Sequence, residues 1–326
     1  MAFVLMRLNF VHPDPTDAQH MSDRYRAGLE LAEYGDTRGL AMVTTEEHQA
    51  TPMGWSPTPL LTASSILSRT TNLSVAISAL LVPLHDPVRL AQQIAVIDLM
   101  SKGRLSVCTG LGYRPAEYAV LGKEWRRRGR LLDEALDTMM AIWSGEPVEV
   151  NGETIQVGPM PWSRPHPPLL IGGSSPAAAK RAARLGLPLQ LPGPNPEVQE
   201  LYESLCAEAG TSPFCIAPTD VAMVQVVEDP ERAWAALGEH FLFEATAYHS
   251  WQPPGQDSAV HSGATTVDEL RAEGIYQFLT PEQAVDRIRS HGMLALHPLC
   301  GGMPIDAAWQ SMELVCDRVL PGTKEG

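Results

Sequence analysis

The stretch Leu169-Leu170-Ile171-Gly172-Gly173-Ser174-Ser175-Pro176-Ala177-Ala178-Ala179-Lys180-Arg181-Ala182-Ala183-Arg184-Leu185 decides how this chain folds. A short apolar run enters two glycines and two serines. A proline follows, and then an alanine-rich helical pattern. Proline is tolerated in the first turn of a helix, where its missing N–H is not needed, so the reading is strand, tight turn, helix. A short apolar strand passing straight into a helix is half of a βαβ unit, the connection that parallel strands require.

The same unit recurs on both sides. Phe3–Phe10 reads as a first strand and Ser22–Tyr34 as a helix closed by Gly35. Leu40–Thr44 is a second strand, Pro57–Ser68 a helix, and Leu73–Val82 a nearly all-apolar third strand, as expected of one buried on both faces. Pro87–Met100 carries Leu90, Ile94 and Ile97 on one helical face, and Leu105–Cys108 follows as strand four. After a helix at 126–143, Val148–Val157 reads as a hairpin turning at Asn151-Gly152. Leu169–Ile171 and Leu187–Leu191 are strands five and six, with a helix at Pro196–Ala209. Val221–Val227 is strand seven, and Pro230–His240 opens another helix. The rhythm breaks at Ser250–Ala264, rich in Pro, Gly, Ser and Gln, and resumes with a helix at Pro281–Ser290. Leu294–Leu299 is strand eight, and a helix at Ile305–Leu320 closes the chain. Eight buried strands alternating with helices predict an α/β fold, a (β/α)8 TIM barrel spanning 1–326 as a single domain, with an irregular, mobile insertion at 249–275 between strands 7 and 8. An open doubly wound sheet is the competing arrangement. The count of eight and the lack of a GxGxxG after the first strand favour the barrel.

The 326 residues carry a net charge of −14, and a grip on nucleic acid needs the opposite sign. Arg126, Arg127, Arg128 and Arg130 form the one basic cluster, read as a solvated helix face. The five cysteines, Cys108, Cys206, Cys215, Cys300 and Cys316, are odd in number and hold no CxxC pair. That suits a reducing cytosol better than a disulfide framework. The N-terminus lacks the pattern of a signal peptide, and no apolar run approaches the length of a membrane span, so the expectation is a soluble, cytoplasmic protein.

In a barrel, chemistry collects at the C-terminal ends of the strands. Strand two runs into Thr45-Glu46-Glu47-His48-Gln49, where His48 is either a proton-transfer group or a hydrogen-bonded loop histidine. In strand three, Ser78 and Ala79 either admit a flat ligand to the backbone or serve tight packing. Strand four ends at Cys108-Thr109-Gly110-Leu111-Gly112-Tyr113-Arg114, with two glycines suited to wrapping a ligand. Cys108 there faces a ligand or is inert core. After strand five, Gly172, Gly173, Ser174 and Ser175 precede a helix N-terminus, a set that makes a phosphate cradle or an ordinary N-cap. No HExxH, Walker A loop, EF-hand loop or GxSxG elbow is present, and no metal-ligand spacing is found, so no metal is expected. A chain with few strong nucleophiles fits an enzyme whose cofactor carries the difficult chemistry.

Several segments share one likeness. Asp98-Leu-Met-Ser101-Lys-Gly103-Arg104 resembles the DxxSxGR segment of the bacterial luciferase-like flavin-dependent oxidoreductases. Leu111–Glu134 resembles their fourth βα unit. Arg164-Pro165-His166-Pro167-Pro168 with the following LLIGG and SSPAAAKRAARLG resembles their fifth, and Thr280–Ala284 the entry to their penultimate helix. The resemblance runs from about Tyr34 to Leu320 and is specific for the superfamily, not for a substrate.

The resemblance implies a barrel binding FMN or the deazaflavin F420 at its mouth. Many FMN members are two-component monooxygenases: a separate flavin reductase supplies reduced FMN, which reacts with O2 to oxidise a small organic substrate. F420 members transfer hydride instead, as dehydrogenases or reductases, and the fewer cations of this chain tilt the expectation to FMN. A further alternative is a non-catalytic partner subunit of a luciferase-like heterodimer. By position, Ser78-Ala79 matches a place where the family often has a non-proline cis peptide at the flavin ring, and Cys108 matches a cysteine beside the flavin. His48 matches a histidine of an EHH-like loop that reads EHQ here. The catalytic candidates are thus His48 and Cys108. The cofactor-binding candidates are Ser78, Ala79, Cys108, Thr109, Gly110, Tyr113, Gly172, Gly173, Ser174 and Ser175. Thr109 replaces a phosphate-binding arginine, which shifts phosphate binding toward Gly173, Ser174, Ser175 and Tyr113 or Arg114. The loop Ser250–Ala264 lies where a mobile lid is found, and the family suggests a bacterial homodimer.

Overall fold

The computed structural model describes residues 3–150, 152–218, 221–252 and 260–323. Among them are twelve strands: β1 (Phe3–Arg7), β2 (Met42–Thr45), β3 (Ser74–Leu80), β4 (Leu105–Thr109), β5 (Val148–Val150), β6 (Glu153–Ile155), β7 (Leu169–Gly172), β8 (Leu189–Gln190), β9 (Cys215–Ile216), β10 (Met223–Val226), β11 (Tyr276–Leu279) and β12 (Met293–Leu296). The chain divides into two compact units. The first is Met1–Pro57, Arg69–Val75 and Asp220–Gly326, and the second is Thr58–Ser68 and Ala76–Thr219.

In the first unit the strands run parallel in the order β11-β10-β12-β1-β2. Leu5 lies opposite Ala295 and Met42, which sets the register of β1 between its neighbours. Val4, Met6, Val43, Val224, Val226 and Leu294 are buried, as strands covered on both faces require. The helix Ala18–Asp36 is capped by Asp17, which accepts from His20 N. It buries Arg24, whose Nη1 and Nη2 donate to the Met303 and Leu299 carbonyls at 2.7 Å each and so pin the loop after β12. Asp36, at its end, accepts from the backbone N–H groups of Thr71, Asn72 and Leu73 and fixes the entry to β3.

In the second unit β4 pairs with β7, β7 with β8 and β8 with β9, all parallel. β5 and β6 form the expected antiparallel hairpin, with Val150 opposite Glu153 and Gly152 at φ +83°. Asn151 lies outside the described residues. The Asp98–Arg104 motif is structural in its contacts. The buried Asp98 carboxylate accepts from Ser163 N at 2.7 Å and Ser163 Oγ at 2.9 Å, tying the helix Pro87–Ser101 to the segment before β7. Gly103, at φ +86°, turns its N–H back to the Asp98 carbonyl, and Arg104 Nη2 donates to the Leu67 carbonyl at 2.9 Å.

Four elements differ from the sequence reading. β9 and β11 were not expected. β9 has two residues, too few to show a period. β11 is four residues that alternate Tyr276 and Phe278 inward, directly after a stretch without pattern. The helix opening at Pro230 runs on to His249. Within 249–275, Val267–Glu273 is a helix, capped by Thr266 and closed by Gly274 at φ +72°, while residues 253–259 lie outside the described residues. No helix among the described residues is long and apolar enough to cross a membrane.

Candidate active site

Each unit carries its own set of candidate side chains at or beyond the C-terminal ends of its strands. In the first, the loop after β2 is knitted to the loop after β1. Ser56 N donates to the Asn9 carbonyl at 2.9 Å, His12 N donates to the Met53 carbonyl at 3.1 Å, and Thr45 Oγ1 and Ser56 Oγ share a hydrogen bond of 2.8 Å. This loop presents His48, 7% exposed, against aromatic rings. The His48 and Trp55 rings meet edge to face at 5.4 Å between centroids, and Trp251 lies 5.2 Å from His48 and 4.9 Å from Trp55. Trp55 is fully buried, and its Nε1 donates to Glu46 Oε1 at 2.8 Å.

Glu46 is itself held by Arg7, the last residue of β1, with Nη2 to Oε1 at 2.6 Å and Nε to Oε2 at 3.3 Å. Arg7 Nη1 also reaches Glu244 Oε1 at 3.2 Å. Burial works against the Arg7 charge, but Glu46 and Glu244 more than offset it, so the guanidinium stays charged well above its ordinary range. Glu244, from the helix Pro230–His249, accepts in addition from His297 Nε2 at 2.8 Å, Cys300 Sγ at 3.0 Å and Gly301 N at 3.1 Å. Burial alone would raise its carboxyl. The charges of His297 and Arg7 and these hydrogen bonds hold it far below the usual carboxylate range. The Cys300 thiol is driven well up by burial and by the Glu244 charge. The atoms of Glu244, His297 and Cys300 lie within 4.8 Å of one another, a donor set metals use, yet Glu244 is already occupied by Arg7, His297, Cys300 and a backbone N–H.

In the second unit, Ser78, Ala79, Cys108, Thr109, Gly110 and Gly172 come together. The Ser78–Ala79 peptide is cis, as the resemblance implied. Gln190 Nε2 donates to Ser78 Oγ at 2.9 Å. A Cβ on Gly110 would lie 2.8 Å from Ala79 Cβ, and one on Gly172 would lie 2.8 Å from Cys108 Sγ and 3.0 Å from the Thr109 carbonyl oxygen. Glycine at both positions lets the ends of β3, β4 and β7 approach as a floor of bare backbone and small side chains. Burial pushes the Cys108 thiol up to about 12, with a hydrogen bond to Ser78 pulling the other way, so it is a neutral packing group. The Thr109 hydroxyl donates to the Leu170 carbonyl at 3.1 Å and is spent on the ladder. Tyr113 is half-buried in the loop after β4.

Beyond β7, Gly173 has φ +144° and gives its N–H to the Gln190 carbonyl at 3.1 Å. Ser174 and Ser175 are exposed, at the start of the ten-residue helix Pro176–Leu185. Ser175 accepts from Ala178 N at 3.4 Å as the N-cap, which leaves its hydroxyl hydrogen to donate outward. The strand ends thus offer small side chains and bare backbone, and the helix start offers outward hydroxyl donors, the kind of group that binds anions.

The residues that sequence reasoning missed are Arg7, Glu46, Trp55, Glu244, Trp251 and His297 in the first unit and Gln190 in the second. Arg7 and His297 end or directly follow apolar strands, a signal that was readable. Glu244 sits in mid-helix and carried none.

The model of the luciferase-like monooxygenase family matches residues 1–292. The chain belongs to the luciferase-like monooxygenase family. It is therefore a member of a flavin-dependent oxidoreductase family, and its fold class is the α/β barrel expected from the sequence. The oxygenase component of the flavin-dependent trigonelline monooxygenase of Acinetobacter baylyi is 27% identical, across 97% of this chain and 95% of that one. The uncharacterized protein y4wF of Sinorhizobium fredii is 30% identical over 62% of this chain, which spans 60% of y4wF. The crystal structure of monooxygenase RslO1 from Streptomyces bottropensis matches with a TM-score of 0.76 at 26% identity, covering 99% of both chains.

Proposed function

We propose that this chain is the oxygenase component of a two-component monooxygenase that takes reduced FMN from a separate flavin reductase and uses O2 to oxidise a small organic substrate. The observation that carries this reading lies in the second unit: small side chains and bare backbone where Ser78, Ala79, Cys108 and Gly110 meet, and exposed hydroxyls at a helix start beyond Gly172. Reduced flavin, when bound, supplies the electrons by which one oxygen atom enters the substrate and the other leaves as water.

The chain's own residues have separate tasks. Ser78, Ala79 and the neutral Cys108 thiol bear on the ring, and a thiol held protonated does not compete as a nucleophile. Gly173, Ser174 and Ser175 hold the phosphate through hydroxyl donors and the partial positive charge of the helix start. His48, in the first unit, is assigned the holding or passing of a proton at an imidazole nitrogen, a role open to a neutral or protonated imidazole. The aromatic rings around it keep water from that nitrogen.

The test is a titration of the purified chain with reduced FMN and with reduced F420, followed by air and a panel of organic substrates. Tight FMN binding with O2-dependent product formation is expected. Tight F420 binding without oxygen reactivity would replace this reading by hydride transfer, and binding of neither would point to a partner subunit.

A further inference from the structure

A histidine that moves a proton must be aimed as well as present, and in the first unit the aiming parts can be followed atom by atom. The His48 ring stands edge to face on Trp55. The Trp55 indole is fully buried, and its hydrogen bond to Glu46 fixes the rotation of the ring in its pocket. Glu46 cannot swing, because two nitrogens of Arg7 grip its two oxygens. Arg7 is fixed in turn by Glu244, which His297, Cys300 and Gly301 N hold. A planar, doubly gripped carboxylate–guanidinium pair is a stiff element, and here its one further acceptor contact goes to the ring that supports His48.

We infer that Glu46 and Trp55 are positioning residues that set the orientation of the His48 imidazole, with Arg7 as the clamp on Glu46. This rests on the reading of His48 as the proton-transfer group, but the orientation itself can be measured without turnover. The Trp55 ring packs with Tyr248 and Trp251 at 6.1 and 4.9 Å between centroids, and the bond from Nε1–H to Glu46 is its directional contact.

The experiment uses the full chain labelled with 13C at histidine Cε1, with the His48 resonance identified by its loss in His48→Gln. Ring currents from Trp55 and Trp251 make that resonance sensitive to imidazole tilt. Glu46→Leu removes the acceptor and Glu46→Gln keeps an oxygen in the same place, both with the Trp55 ring current intact, while Trp55→Phe loses the N–H and the second ring and is read on turnover alone. The His48 resonance is expected to move and broaden in Glu46→Leu and to return in Glu46→Gln. Turnover in Glu46→Leu and Trp55→Phe is expected to fall about tenfold to a hundredfold in kcat with KM little changed. Adding His48→Ala to Glu46→Leu is expected to cost no more than His48→Ala alone. A His48 resonance that stays in place in Glu46→Leu overturns the inference, as does full additivity of the two losses. Should Glu46→Leu fail to fold, Arg7→Lys, which keeps the charge but loses the double grip on Glu46, decides on the same resonance. If the resonance moves while His48→Ala leaves turnover intact, the positioning stands and the assignment of His48 to proton transfer falls.

Discussion

Cys108 and Gly172 face each other across the β4–β7 ladder so closely that a single methyl group would not fit between them. A Cβ on Gly172 would sit 2.8 Å from Cys108 Sγ and 3.0 Å from the Thr109 carbonyl oxygen. The sulfur could yield by rotation. The carbonyl cannot, because Thr109 is paired in register with Ile171. Gly172→Ala should therefore destabilise the protein by about 1–3 kcal/mol, measured by urea unfolding. Combining it with Cys108→Ala should recover only part of the loss, since the contact with the carbonyl remains. Full recovery would show that the sulfur alone sets the limit.

The same burial controls the reactivity of Cys108. A thiol pushed up to about 12 is ionised to only about one part in ten thousand at pH 8. Iodoacetamide applied to the native protein should leave Cys108 unmodified while the half-buried Cys215 reacts first. Peptide mass spectrometry resolves the two. Early labelling of Cys108 would contradict its role as a neutral packing group.

The sequence made the β-strands legible where apolar runs were long and ended in glycine or a hydroxyl, as at Leu73–Val82 and Leu169–Ser175. It hid β9 and β11: Cys215-Ile216 belongs to no long apolar run, and Tyr276–Leu279 is interrupted by Gln277 and follows a stretch without pattern, so each owes its place to a neighbour's ladder. The site divided in the same way. Ser78, Ala79, Cys108 and Gly172 could be nominated as candidates because small residues and glycines fall in a row at strand ends, and the structure brings them close together. Glu244 was missed because a carboxylate in mid-helix looks like any solvated position. Only the fold brings it to Arg7 and His297, which stand 237 and 53 residues away in sequence. Asp98 was legible as part of a motif, yet its task is visible only in its bonds to Ser163.

That task gives a stability prediction. Asp98→Ala leaves the half-buried Ser163 N–H without the carboxylate oxygen it meets at 2.7 Å. A loss of about 2–4 kcal/mol is expected for two hydrogen bonds to a charged acceptor. Hydrogen exchange at Ser163 should accelerate locally, ahead of the strands. Uniform acceleration would mean that Asp98 acts on global stability alone.

Glu244 predicts how stability depends on pH. Its folded-state value lies far below its ordinary 4.5, chiefly because the charges of His297 and Arg7 overcome the cost of burial. Below about pH 4.5 the unfolded chain therefore binds a proton that the folded chain refuses. The stability contributed by Glu244 is complete above that pH and is lost progressively as pH falls below it. Asp36, held low by its loop N–H donors against the effect of burial, adds loss in the same direction. Glu244→Gln should flatten the dependence between pH 5 and pH 3 while lowering stability at pH 7, because Arg7 then lacks one of its two buried counter-charges. Urea midpoints at several pH values test both. An unchanged slope in the variant would assign the acid sensitivity to other carboxylates.

The serines before the helix Pro176–Leu185 allow the ligand's phosphate to be tested separately from its ring. If Ser174 and Ser175 hold the phosphate, Ser174→Ala/Ser175→Ala should weaken reduced FMN by about tenfold to a hundredfold, the usual worth of hydrogen bonds to a charged group. Ser175→Ala also removes an N-cap and should cost about 1 kcal/mol of stability whether or not a ligand is present. Riboflavin has the same ring and no phosphate, so its affinity should be equal in wild type and double variant. Deleting the serines and deleting the phosphate should then be interchangeable losses. A variant that weakens riboflavin as much as FMN would show that the loop acts on the ring or on the fold, and it would move the phosphate to another part of the second unit.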